Sequence, residues 1–472
     1  MATTKPTATT TTPVVAFKFG PTTDITQLNG ADIAKLTSAN LTALTSSQIN
    51  LLTPSQISVF NSSMVAAIGN NKNFGLISEE ALNAIAPKLI PSLSSKGVAL
   101  LSQTKLESLS ASQISNLTPD QIKLSTSKLT IEALDPKFFT ALSAKSFNTL
   151  TTSQLGKLTE DQISGLTSTQ ISTFDSKDLT AIKIVGLSNI APSAITGLNR
   201  NTIASLSKDQ ILGITSDQAS FLTSGQVQAL NSSQLGLFEP EVISALMPST
   251  IKGITANAIS SINSIAFGLL SSSQIAAFTP AQIAALNTDA ISVLGSDQTA
   301  GLTADQMAKF NVANLSVSAV TALTPQAIKG IASNQVANIT LDAFSQFTSA
   351  QIAAFTPAQI TALTTDAISN LNADQSIGLT PVQIAKFSSV KISSLLSDAL
   401  TGLTPNTIRS IGLDAIQGLN PDAFKEFTSA QIAAFAPVQI AALTSDQISV
   451  LGSDQTAGLT ADQMAKFNVA NL

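Results

Sequence analysis

The chain has 472 residues, with 24 Lys and Arg against 29 Asp and Glu, a formal net charge of −5. That balance gives no basic footprint for nucleic acid or an anionic membrane surface. The absence of Cys, His, Trp and Tyr removes disulfides, thiolate metal sites and the usual catalytic bases and nucleophiles.

Residues 1–24 form a Thr- and Pro-rich lead whose first dozen residues are too polar to pack a core. It lacks the apolar stretch and cleavage site of a secretory signal peptide, so an exported protein would need another signal. Within it, the stretch from Val14 to Phe19, which includes Val15 and Phe17, reads as a short strand. These residues are expected to tether the lead to the first coil or to contact a neighbouring subunit in an assembly.

From Ile25 onward the sequence is built of eight-residue units, such as TPSQISVF (53–60), TPAQIAAL (279–286) and TPAQITAL (356–363). Thr53, Thr279 and Thr356 are N-cap residues, whose hydroxyls satisfy a free amide of the first turn. Pro280 falls at the first helical position, where its missing N–H costs nothing. Gln56, Gln282 and Gln359, three residues after each Thr, can reach back to the cap amide and close a capping box. Ile57 and Phe60, Ile283 and Leu286, and Ile360 and Leu363 then form apolar i, i+3 pairs facing a core. Fourteen of the 18 prolines stand at position two of a unit; three are in the lead, and only Pro91 breaks the frame.

One continuous helix is excluded. Eight residues advance an apolar pair by about 80°, so no face stays apolar, and interior prolines would break the hydrogen-bond ladder. A single octad orders eight residues to bury one apolar pair, so it must stack on its neighbours. The expected fold is an all-α solenoid of very short capped helices. A β-solenoid is the alternative, disfavoured because Ile and Leu would alternate faces and Ala, Gln and Pro make poor strands.

The octads are irregular over 25–134, regular over 135–310, and continue a ten-unit cycle over 311–472. They slip at GNNKNFGLI (69–77), expected to be a protruding turn, at 118–134, where seventeen residues replace sixteen, and at the stub NVANL (311–315). The ten units of 348–427 follow ten in 271–347, and residues 451–472 are identical to 294–315. The last cycle stops part-way, as expected of a longer array or of an end covered by another molecule.

Asp recurs at position three (Asp289, Asp297, Asp305, Asp366, Asp374, Asp446, Asp454, Asp462), where the helix dipole favours a carboxylate. A calcium-ligand ladder is the rival explanation, without a recognisable calcium loop; no other cofactor is expected. Phe recurs at position eight (Phe278, Phe310, Phe355, Phe387, Phe435, Phe467), as a large core residue or as a stripe for lateral association. No run approaches the ~18 apolar residues of a transmembrane span, and no unique cluster suggests an enzyme.

Tandem Leu-Thr-x-x-Gln-Ile units over most of residues 25–472 resemble those of large bacterial surface and secreted proteins, adhesin-like or similar to surface-layer and filament subunits. The resemblance implies an extracellular or cell-surface structural protein that self-associates into a filament, layer or stalk, exported by a non-classical or type I-like route. The alternative is a solenoid scaffold that grips a protein or peptide. The opening "LTPAQI" superficially resembles transcription-activator-like effector repeats, but those are far longer and basic, so DNA binding is not expected.

Overall fold

The computed structural model describes residues 18–182 and 184–467. Among them every regular element is a helix and none is a strand, which sets aside the β-solenoid. The helices are mostly four to six residues long and follow one another along the chain about every eight residues.

The unit at 279–286 shows how the local sequence produces this. Thr279 is extended (φ −73°, ψ 154°) and caps the helix Pro280–Ala284, which ends at Ala285 near φ −90°, ψ −5°. Leu286 and Asn287 lead into the next helix, Thr288–Ser292. No described residue has a positive φ, so each corner uses only backbone regions open to any side chain. Bulky Leu, Ile and Phe can therefore stand at the corners themselves. All fourteen in-frame prolines are the first residue of an α- or 3-10 helix.

The chain divides into two compact units, Met1–Gly213 and Ile214–Leu472. In each, a helix packs on the helix three places further along. In the first unit Ser38–Thr42 packs on Ser62–Gly69, and Ser95–Val98 on Pro119–Thr126. In the second, Pro248–Ile251 packs on Ser272–Ala277, which packs on Ser296–Thr299. Three helices thus make one coil of an all-α solenoid, and the helices stack in three columns. The boundary at Gly213 falls inside the span read as one regular array, with helices Lys208–Leu212 and Ser216–Ala219 flanking it at the usual spacing.

The interior is filled by positions five and eight. Ile57, Phe60, Ile283, Ile360 and Leu363 are all buried, whereas Leu286, expected in the core, is only partly covered. Phe278, Phe310, Phe355, Phe387, Phe435 and Phe467 are buried as well, which removes the lateral Phe stripe. Phe344, Phe347 and Phe355 cluster with ring centroids 5.6–6.3 Å apart.

The register slips are absorbed without opening the core. The stub at 311–315 becomes the 3-10 helix Val312–Asn314, and the second slip includes another, Ile131–Ala133. The segment at 69–77 is not a protruding turn. Phe74 and Asn71 are buried, and the Asn71 amide donates to the carbonyls of Leu41 and Leu44, both at 3.0 Å.

Candidate functional site

The most repeated chemistry of the sequence is directed inward. Thr53, Thr279 and Thr356 cap their helices, and each backbone N–H donates to the side-chain oxygen of Gln56, Gln282 or Gln359 (3.0, 2.7 and 2.7 Å). The glutamines are buried, and their other half does something the octad pattern does not announce. Gln282 Nε2 donates to the carbonyls of Ile251 (2.8 Å) and Ile254 (2.6 Å). Gln56 does the same to Ile25 and Leu28, and Gln359 to Ile328 and Ile331.

Ile251 and Ile254, like Ile328 and Ile331, lie at or just past the C-terminal end of a helix in the coil before, where carbonyls lack intrahelical partners. One buried amide therefore satisfies a helix start in its own coil and a helix end in the coil before. Where Gln is missing, other donors take part of the task. Thr250 and Thr407 donate to Leu222 and Leu379 (2.6 and 2.9 Å), and Ser146 donates to Leu117 (2.6 Å). Lys391 Nζ reaches three carbonyls, of Ile360, Thr361 and Leu363, at 2.6–2.9 Å. Burial holds the Lys391 ammonium below its ordinary pKa.

The recurrent Asp residues occupy the second position of their helices. Asp289, Asp297 and Asp305 stand on three consecutive helices and so on three different columns. Among the described residues no three His, Cys, Asp or Glu side chains converge as a metal-binding group. Asp175 and Asp178 titrate in opposite directions for structural reasons. Asp175 is an N-cap held below the ordinary value, first by the backbone N–H of Asp178, while burial raises Asp178.

Of the proposed assembly contacts, Val14, Val15 and Phe17 lie outside the described residues. Phe19 is partly buried and not in a strand. The outer surface instead presents aliphatic residues at helix starts. Leu341, Val390, Leu413 and Val438 are 40%, 62%, 48% and 59% exposed. They stand at the first or second position of Leu341–Phe344, Ser389–Ser393, Leu413–Ile416 and Pro437–Ala441. With Thr365–Ser369, which follows Leu341–Phe344 in the stack, these helices form a single column, which carries the four side chains together with the exposed Asp342, Asp366 and Asp414. Among the described residues, no helix is long and apolar enough to cross a membrane.

No curated protein matches the chain. Residues 424–461 match the family model described as the ALTTAQ repeat, and the chain is a repeat protein.

Proposed function

We propose that this chain is a structural repeat protein of a bacterial surface, a solenoid that self-associates to build or extend a filament, layer or adhesin stalk. The observation that supports it most is the division of labour between inside and outside. The cap, Gln and Phe positions are used up in stacking coil on coil, while one outer column keeps Leu341, Val390, Leu413 and Val438 exposed. Isolated exposed aliphatics are ordinary on protein surfaces, but Val390, Leu413 and Val438 stand on three successive helices of the column, a clustering that marks a contact surface. The resemblance of the octads to those of surface and secreted proteins supports an extracellular location.

Negative-stain microscopy of the purified protein tests this. Fibres or lattices are expected, and particles that stay dispersed and monomeric at high concentration refute it. The second reading, a scaffold for a protein or peptide, is favoured by a groove of the first unit whose lining includes Lys72, Lys96, Lys128, Leu100 and Leu124. It predicts a monomer that retains a partner when isolated from its source.

A further inference from the structure

Two irregularities far apart in sequence come together in the first unit. Ser62–Gly69 and Pro119–Thr126 are eight residues long, the longest helices among the described residues, and each belongs to a register slip. Both pack on the short helix Ser95–Val98. A Cβ at Gly97 would overlap the carbonyl of Gly69, so only glycine allows that wall to approach so closely. The result is a groove of about 500 Å³, whose lining includes Lys72, Lys96, Lys128, Leu100 and Leu124 and no carboxylate. All three lysines are exposed, and none forms an ion pair with a described residue.

The charge of the chain is divided to match. Residues 1–213 carry 16 basic and 13 acidic side chains, whereas 214–472 carry 8 and 16, so the net −5 separates into +3 and −8. The exposed column of the second unit combines aliphatic and acidic groups: Leu341 with Asp342, then Asp366, Val390, Leu413 with Asp414, and Val438; the one cation on these helices, Lys391, is held on the carbonyls of Ile360, Thr361 and Leu363. It is the chemical complement of an apolar groove rimmed by ammonium groups.

We propose that the lysine groove receives this acidic, aliphatic column of a second copy of the chain. The inference rests on the self-association reading above and names its contact. The two surfaces differ, so the contact is heterologous and need not close, which allows open-ended growth. Charge steers the encounter and the leucines exclude water, so assembly weakens as salt rises.

The test uses the full chain and charge reversals at exposed positions, with circular dichroism confirming the fold. Sedimentation velocity at low and high salt compares wild type, a Lys72→Glu, Lys96→Glu, Lys128→Glu variant and an Asp342→Lys, Asp366→Lys, Asp414→Lys variant. Each variant alone should associate at least tenfold more weakly than wild type, and an equimolar mixture should regain association. Wild-type assembly that neither reversal weakens overturns the groove proposal and leaves the polymer reading standing. So does a mixture that fails to regain association. A wild type that never assembles refutes both.

Discussion

The dual role of the buried glutamines makes a quantitative prediction at Gln282. Gln282→Ala removes the acceptor of the Thr279 N–H and the donor to Ile251 and Ile254. The Ile251 carbonyl keeps the Ile254 N–H as a partner, whereas the Ile254 carbonyl loses the Gln282 amide that satisfies it. Three hydrogen bonds at a net ~1 kcal/mol each give a loss of about 3 kcal/mol. Gln282→Thr should recover roughly a third of that, because Thr250 and Thr407 show that a hydroxyl at this position reaches one carbonyl. Since coils contact only their neighbours, the loss should be local. Amide hydrogen exchange read by mass spectrometry should show faster exchange over 248–290 and unchanged rates near 100 and 440. Unchanged protection over 248–290 in the Ala variant, or Thr no milder than Ala, would refute the stitching role of the side chain.

At Gly378 a Cβ would overlap the Ser349 carbonyl, backbone that cannot swing aside, so Gly378→Ala should destabilise by about 1–3 kcal/mol in chemical denaturation. Gly412 has open space around it and serves as an N-cap without a side chain, so Gly412→Ser should gain a few tenths of a kcal/mol. Ser376 Oγ is fully buried without a hydrogen-bond partner, whereas Thr299 at the same place in the preceding cycle donates to Ala319 (2.8 Å). Ser376→Ala should therefore raise stability by about 1 kcal/mol, measured by urea titration. Lys391 has a folded pKa below its unfolded 10.5, so the unfolded chain binds more protons between the two values and stability rises with pH there. Thermal melts of wild type and Lys391→Gln should accordingly converge as pH approaches 10.5, with the Gln variant the more stable at neutral pH.

Where each helix starts was legible because its signals are local. Thr279, Pro280 and Gln282 lie within four residues and fix the first turn before any tertiary contact forms. The burial of Ile283 and Leu363 followed from the same frame. The number of helices per coil was not legible, since it depends on the corner angles rather than on the pattern of residues. The inter-coil role of the Gln282 amide is not legible within its octad because its acceptors are 28 and 31 residues away. The octads of Leu286 and Leu363 differ only at Ala284 and Thr361, and the same apolar type at position eight does not reveal that Leu286 is the less covered. The slip at 69–77 reads as a protruding turn because Asn and Gly usually mark one, yet Asn71 replaces Gln as the inward donor. The lysine groove arises only when segments at 69–72, 94–100 and 124–128 are stacked.

The sequence repeats every ten helices, but the stack repeats every three. Ser272–Ala277, Ser349–Ala354 and Ser429–Ala434 open three successive cycles and occupy each of the three columns in turn. A given phrase of sequence therefore migrates by one side per cycle, like a thread on a screw, and regains its first orientation only after thirty helices. A partner that follows identical residues must spiral, and one that lies straight along a side meets a changing text.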